Sequence, residues 1–243
     1  MIFIAFLLLA AIWGSSFLFL RVAIEEFGPF LLSDLRVLFA FLSLLPFFVF
    51  LKKRSYESKK RIKLFFLLGS INSAVPFVCF SFAAINLPSG YLSVINSFVP
   101  VWSLFFSYIF LGDKIKFGVF VNLLIGVIGV MIFVGFGPIV LYWDSLTAIL
   151  FALIATLCYA ISGVLTRKYC VGVPSLSLSI YCLGFASILL LPSFFLDLPE
   201  VRPSSQSWVA IIILGVLCSG VALLLYFKLI KSVGPIKTTT VTF

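Results

Sequence analysis

The chain is dominated by apolar runs of about 20 residues, and this length limits what it can fold into. A helix of about 20 residues crosses the roughly 30 Å hydrocarbon core of a bilayer. Hydrophobic residues make up 63% of the chain and charged residues 10%, which leaves too little polar surface for a water-soluble domain. The pattern predicts an all-α polytopic membrane protein. Eight full spans are expected at approximately 2–22, 29–51, 64–85, 90–111, 117–136, 146–166, 176–196 and 209–230. A ninth span begins at Pro235.

The sequence also matches itself at a constant offset of 146 residues. Trp13 falls on Tyr159 and Ser16 on Ser162. Further matches along both parts are Arg21 with Arg167, Ser33 with Ser179, Leu68-Gly69 with Leu214-Gly215, Ser73 with Ser219, and Phe80 with Tyr226. One offset held across separate segments indicates an internal duplication. We expect one unit at 1–136, with helices one to five, and a second at 147–243.

Most of the positive charge lies in the connections on one side of the predicted membrane. Fourteen of the 17 cations lie there: Lys52, Lys53, Arg54, Lys59, Lys60, Arg61, Lys63, Lys114, Lys116, Arg167, Lys168, Lys228, Lys231 and Lys237. Because cytoplasmic connections carry the excess of lysine and arginine, we expect a cytoplasmic amino terminus in a multi-pass protein of the plasma membrane.

The number of spans in each unit determines how the two copies are oriented. Each unit has five spans, which is an odd number, so the second copy enters the bilayer upside down relative to the first. The sequence therefore predicts inverted five-helix repeats. Such repeats recur in secondary transporters, where two similar halves of opposite orientation open the binding site to opposite sides in turn.

Several short motifs occur along the chain in a fixed order. They are Ala11 to Ser16 in the first span, Gly28-Pro29 to Leu35-Arg36 in the second, Phe98 to Val101 and Phe110 to Asp113 in the fourth, Gly126 to Val130 in the fifth, and Leu229 to Gly234 before the ninth. In this order they resemble the EamA-like members of the drug/metabolite transporter superfamily. The family usually has Glu where this chain has Asp113. The resemblance implies a ten-helix transporter of two five-helix repeats.

The offset also predicts that the second unit is incomplete. Residues 98–136 would match 244–282, beyond Phe243. We therefore expect eight full helices and a partial ninth, where the complete protein would have ten, and a carboxyl-terminal truncation of roughly 40 residues.

Polar side chains that recur on one helical face predict where a substrate binds, because polar groups facing lipid are costly. Trp13 and Tyr159 occupy equivalent positions in the first span of each unit. Span four carries such a stripe, formed by Ser93, Asn96, Ser97, Pro100, Ser103 and Ser107. The expected cavity residues are Trp13, Ser16, Asn72, Ser93, Asn96, Pro100, Tyr159, Ser162 and Thr239. The alternative is that the serines and threonines bond their own helices or let helices approach closely.

Two charges lie inside span two, and they point to nearly opposite sides of the helix. Asp34 is the carboxylate at membrane depth, which makes it the candidate for proton coupling. Arg36 matches the family's usual arginine, and we expect it to be a structural intramembrane charge. Facilitated exchange or uniport, which needs no titrating group, stays open.

The absence of histidine from the sequence removes the usual zinc ligand and the usual catalytic base. We expect no enzyme activity, no cofactor, no metal and no nucleic-acid partner. The expected partners are a small-molecule substrate and the lipid bilayer. Span five has a face of small residues, formed by Gly118, Asn122, Gly126 and Gly129. Such a face predicts close helix packing, and a homodimer is one arrangement that would provide it.

Together these features predict a secondary transporter, permease or exporter, of small metabolites such as amino acids or their derivatives, working by alternating access. The alternatives are a membrane channel, a lipid scramblase, a receptor, and a non-functional fragment of a transporter.

Overall fold

The computed structural model describes residues 2–50, 61–114, 117–134, 143–196, 198–199 and 201–242. The expected basic cluster between spans two and three lies largely outside these residues, since only Arg61 and Lys63 of it are described. Lys116 lies outside them as well.

The described part of the chain is built from helices and contains no strand. Seven helices are long and apolar enough to cross a bilayer, which confirms the all-α polytopic membrane fold. They are α1 (Ile2–Phe27), α2 (Pro29–Phe50), α3 (Ile62–Asn86), α4 (Ser89–Leu111), α6 (Trp143–Tyr169), α7 (Ser175–Phe195) and α8 (Ser205–Val233). The expected fifth span is the 18-residue apolar helix α5 (Phe117–Val134). The expected start of a ninth is the short helix α9 (Pro235–Thr239), followed by the 3₁₀ turn Thr240–Thr242.

Glycine and proline set the ends of several helices. Gly28 has φ 70° and precedes Pro29, whose fixed φ suits the first helical position of α2. Gly112 has φ 71° in the left-handed region and ends α4. Gly234, with φ 86°, separates α8 from Pro235 at the start of α9. These residues make the abrupt connections that let consecutive helices run side by side.

Three of the long helices are interrupted near their middles. In α3 the residues Ser70–Ala74 form a π-helical segment, and in α8 the residues Val216–Val221 do the same. The two segments begin 146 residues apart, at the offset of the sequence repeat. In α4 the helix stops after Asn96 and restarts at Val99. A π segment widens the helix locally and is frequent at functional sites.

Helices α2 and α7 pack against each other at the centre of the bundle. The π segment of α8 contacts α2, and the π segment of α3 contacts α7. A Cβ at Gly69 would lie 2.5 Å from the Cys182 carbonyl oxygen, and a Cβ at Gly215 would lie 2.5 Å from the Phe39 Cβ and 3.0 Å from the Arg36 carbonyl oxygen. Cys182 is 146 residues after Arg36, so equivalent glycines make equivalent close approaches.

The buried apolar residues form two cores, one toward each end of the bundle. One core joins the second half of α2, the first half of α3, α7 and the second half of α8. The other joins the second half of α1, the start of α2, the end of α3, α6 and the first half of α8. The interrupted parts of α3 and α8 lie between the two cores. This is where polar side chains enter an otherwise apolar bundle.

Candidate functional site

A cavity with a volume of about 60 Å³ lies between the two apolar cores. Its walls come from α1, α2, α3, α4, α6, α8 and α9, and from Thr242. The lining residues are Trp13, Ser16, Phe17, Arg36, Asn72, Phe77, Phe80, Asn96, Val99, Tyr159, Cys218, Ser219, Leu223, Tyr226, Thr239 and Thr242. Six aromatic rings and a few convergent polar groups are the usual composition of a small-molecule site.

Most of this lining comes in pairs of equivalent residues, separated by 146 positions. The pairs are Trp13 with Tyr159, Asn72 with Cys218, Phe77 with Leu223, Phe80 with Tyr226, and Asn96 with Thr242. They account for ten of the 16 lining residues. The cavity therefore draws the same positions from both units.

The aromatic rings of the cavity form two contacting groups, one of Trp13 with Tyr226 and one of Phe17, Phe80 and Tyr159. The ring centroids of Trp13 and Tyr226 are 5.2 Å apart, those of Phe17 and Phe80 are 5.4 Å apart, and those of Phe80 and Tyr159 are 6.0 Å apart. The indole Nε1 of Trp13 donates to the Cys218 carbonyl oxygen over 3.2 Å, which fixes the ring of α1 against the π segment of α8. The rings are tilted against one another, and the orientation of Trp13 is held by hydrogen bonding as well as by packing.

The two cavity asparagines occur in the same local sequence. Asn72-Ser73-Ala74-Val75-Pro76 and Asn96-Ser97-Phe98-Val99-Pro100 both read Asn-Ser-x-Val-Pro. Proline has no N–H and clashes with the carbonyl four residues earlier, so each proline breaks the helix at its asparagine. The prolines account for the interruptions of α3 and α4, and this repeated motif is a sequence signal of a cavity that a polar stripe alone does not give.

The predicted site residues separate into three groups. Trp13, Ser16, Asn72, Asn96, Tyr159 and Thr239 line the cavity. Ser162 is fully buried behind it, where its hydroxyl donates to Asn72 Oδ1 over 2.8 Å. Ser93 donates to the Gly90 carbonyl oxygen and lines a neighbouring groove instead.

Pro100 lies outside the lining of both spaces. It acts on the cavity indirectly, by ending the first half of α4 at Asn96. The remainder of the expected stripe, with Ser103 and Ser107, is fully buried on the second half of α4, which packs against α6. Small side chains there allow close helix contact, and this part of the stripe does not line the cavity.

The two intramembrane charges have different surroundings. Asp34 is 2% exposed and does not line the cavity, so its role in proton coupling stays a prediction. Arg36 does line it, with its guanidinium carbon 3.9 Å from the centroid of the Phe77 ring and its Nε donating to Ser219 Oγ over 2.8 Å. The expectation that Arg36 is a purely structural charge did not anticipate this position in the cavity wall.

The neighbouring groove has a volume of about 620 Å³ and adjoins the cavity. Trp13, Phe17, Asn96 and Thr242 line both spaces. The groove runs between α1, the start of α4 and α5, where Gly126 and Gly129 face it. No atom of the described chain lies within 4 Å of a Cβ placed at Gly118 or Gly129. The small-residue face of α5 is therefore not packed against the described residues at these two positions.

The described residues contain no group of three or more histidine, cysteine, aspartate or glutamate side chains that could hold a metal ion. The five cysteines are free thiols, four of them buried.

Comparison with known proteins assigns the family. The model of the EamA-like transporter family matches residues 1–135 and again residues 146–243. The chain belongs to the EamA-like transporter family. This confirms the resemblance to EamA-like members of the drug/metabolite transporter superfamily.

Several similar proteins carry transporter names. The chain is 27% identical to the uncharacterized inner membrane transporter YedA of Escherichia coli, over 100% of this chain and 78% of YedA. It is 26% identical to the protein PagO of Salmonella typhimurium, over 93% of this chain and 75% of PagO. An uncharacterized transporter of Buchnera aphidicola is also 26% identical, over 96% of this chain and 78% of that one. This EamA-like chain is thus a multi-pass membrane protein from a family of transporters.

A solved crystal structure of another protein shares the fold. It superposes with a TM-score of 0.75 over 98% of this chain and 83% of the other, at 16% identity. At this identity the likeness shows the EamA-like fold alone.

Proposed function

We propose that this EamA-like protein is a secondary transporter of small metabolites, such as amino acids or their derivatives, across the plasma membrane by alternating access. One observation carries the proposal. The central cavity takes ten of its 16 lining residues from equivalent positions of the two units. A site shared in this way stays in place while either half moves, which is what alternating access about a midplane site requires.

The contacts between the units support the same mechanism. Gly69 and Gly215 bring α3 and α8 against α7 and α2 at closely similar approaches. Two equivalent contact regions on either side of the cavity provide two candidate gates. In an inverted arrangement, closing one and opening the other exposes the cavity to opposite sides of the membrane.

The ends of the bundle support a cytoplasmic amino terminus. At one end Arg61 donates to the Tyr169 carbonyl oxygen, and Arg167 donates to that of Lys231 over 2.9 Å. At the other end Arg21 donates to the Ala84 carbonyl oxygen over 2.7 Å. The described cations thus gather at the end that the positive-inside rule assigns to the cytoplasm.

The test is transport by the purified chain in proteoliposomes, measured with a panel of radiolabelled amino acids and their derivatives. We expect uptake of at least one compound to saturate and to be stimulated by unlabelled compound inside the vesicle. Trp13→Ala and Asn96→Ala should each lower kcat/KM about tenfold, the equivalent of about 1.4 kcal/mol of lost transition-state binding.

Matched control variants distinguish the loss of a cavity contact from a general loss of folded protein. Trp143 and Asn86 are exposed at the surface of the bundle, so Trp143→Ala and Asn86→Ala should transport at the wild-type rate. Flux that rises linearly with concentration without counterflow would indicate a channel, and exchange of labelled lipid alone would indicate a scramblase. Either result, or ligand binding without any flux, would overturn the proposal.

Two further features of the proposed transporter stay predictions. Asp34 is the candidate residue for coupling transport to protons. The open small-residue face of α5 is the candidate interface of a homodimer.

A further inference from the structure

Arg36 is a permanent cation buried in the cavity wall without a carboxylate beside it. Its side chain is 6% exposed, and none of the cavity-lining residues is acidic. Asp34, two residues away on the same helix, makes no ion pair with it within 4.0 Å, the ion pair found in the described residues being Arg21 with Glu25. A charge removed from water is normally paired, because an unpaired one is costly.

The neighbours of Arg36 hold its guanidinium in one orientation. Phe77 covers a face of the group at 3.9 Å, and Ser219 accepts from Nε over 2.8 Å. The Ser219 hydroxyl in turn donates to the Leu214 carbonyl oxygen over 2.9 Å. These contacts use one face and the Nε position, so the two terminal nitrogens, Nη1 and Nη2, keep their donors for another partner. That pair of nitrogens is the fork that binds a carboxylate in a bidentate manner.

Two other polar atoms of the cavity lack partners within the described chain. Asn96 Oδ1 is a buried acceptor and Tyr226 Oη is a buried hydroxyl, and neither has a hydrogen bond. Both residues line the cavity together with Arg36. Buried polar atoms are rarely left unsatisfied, so Asn96 Oδ1 adds a second, hydrogen-bonding position to the cationic one, whereas Tyr226 Oη lies beside Gly163 of α6.

We propose that the cavity binds a small organic monoanion whose carboxylate pairs with Arg36. The planar, apolar body of the ligand packs between the aromatic rings of Trp13, Tyr159 and Tyr226, and a donor group on it reaches Asn96 Oδ1. This inference rests on the proposed transport function and names the chemical class of its substrate.

The charge of the cavity favours a single carboxylate over phosphate. Arg36 is the one permanently charged residue among those that line the cavity. A monoanion neutralises it, whereas a phosphate dianion would leave one negative charge uncompensated in a site of low polarity. Inorganic phosphate is therefore a competing anion that the experiment must include.

The experiment measures thermal unfolding of the purified chain in detergent with three probes: benzoate, its uncharged isostere benzamide, and inorganic phosphate. A ligand that binds the folded state raises the midpoint in a saturable way. We expect the apparent Kd for benzoate to be at least tenfold lower than that for benzamide. Phosphate should not stabilise the protein at concentrations where benzoate saturates.

Variants of Arg36 test whether this residue causes the preference for benzoate over benzamide. Arg36→Gln should bring the ratio of the two affinities to about one. Arg36→Lys keeps the charge without the two-nitrogen fork and should retain part of the preference. Arg202 is exposed in the connection before α8, so Arg202→Gln should keep the wild-type ratio. If Arg36→Gln does not fold, the wild-type comparison of benzoate with benzamide and the Arg36→Lys variant still decide the matter.

Three results would overturn the inference: equal affinity for benzoate and benzamide in the wild type, an unchanged ratio in Arg36→Gln, or stronger binding of phosphate than of benzoate. The outcome is separable from that of the proposed function. Carboxylate-selective binding without saturable flux would refute the transporter and leave the anion site. Saturable flux of a compound that benzoate does not compete with would refute the anion site and leave the transporter.

Discussion

At the scale of single residues, whether a polar side chain of α4 lines the cavity depends less on its position along the helix than on the element that packs opposite it. Ser93, Ser103 and Ser107 share one face of α4 in the sequence, yet Ser93 lines the groove and the other two are buried. Asn96, between them, lines the cavity because Pro100 breaks the helix at that point. A polar residue in a membrane helix therefore indicates a cavity most strongly where the backbone is also interrupted.

The glycines at the central crossings give a residue-scale prediction. A Cβ at Gly69 or Gly215 would come within 2.5 Å of an atom of α7 or α2, so Gly69→Ala and Gly215→Ala should each destabilise the fold by about 1–3 kcal/mol. The measurement is the midpoint of thermal unfolding in detergent.

Gly14→Ala is the matched control for both. Gly14 lies inside α1, and nothing lies within 4 Å of its added Cβ. Alanine there should stabilise the helix by about 0.5–1 kcal/mol. Midpoints that fall equally in all three variants would show that the close approaches do not limit the substitution.

At the scale of elements, the two π segments occupy equivalent positions but differ in their hydrogen bonds. Ser219 in α8 accepts from Arg36 Nε and donates to the Leu214 carbonyl oxygen. Its equivalent in α3, Ser73, is fully buried and its hydroxyl has no partner in the described chain. The two π segments thus share a backbone shape and differ in their hydrogen bonds.

This difference predicts opposite effects of the same substitution. Ser219→Ala removes the partner of a buried cation and should destabilise the fold by about 1.5–3 kcal/mol. Ser73→Ala removes a hydroxyl that bonds nothing and should be neutral or slightly stabilising. Thermal unfolding of both variants under one set of conditions measures the contrast, and equal losses would show that the π segments, not the Ser219 hydrogen bonds, set the stability.

Sequence patterns predicted the elements better than their interruptions. Hydropathy located the long helices because their length is set by the membrane. The π segment of α8 has Ala222 where α3 has Pro76, and it escaped prediction because it depends on contacts between α8 and α2, which no local pattern records. Arg36 escaped as a cavity residue because helical spacing gives the direction of Cβ, whereas its long side chain reaches Ser219 on α8.

At the scale of the whole molecule, charge distinguishes the two ends of the bundle. At one end Arg21 donates to the Ala84 carbonyl oxygen, and Glu26 accepts from the Ser204 backbone N–H and hydroxyl at the start of α8. At the other end Arg61 and Arg167 donate to carbonyl oxygens of neighbouring helices, and Lys231 donates to that of Val173 in the connection between α6 and α7. Those cations both close the ends of helices and mark the side expected in the cytoplasm.

This asymmetry predicts the topology, which labelling of single introduced cysteines can measure. Arg202 and Lys168 are both exposed and lie at opposite ends of the bundle. In intact cells a membrane-impermeant maleimide should label Arg202→Cys, and it should label Lys168→Cys only after the cells are permeabilised. The reverse pattern would place the amino terminus outside.

The native cysteines should not interfere with this measurement. Four of the five are buried, and Cys170, in the connection between α6 and α7, shows why burial suppresses its reaction. Burial raises the pKa of the Cys170 thiol to about 11, so the thiol stays protonated, and unreactive toward maleimide, at all pH values well below 11. Wild-type protein should therefore remain unlabelled at pH 7, both before and after permeabilisation, and labelling of the wild type would show that a native cysteine such as Cys170 or the half-buried Cys158 is accessible.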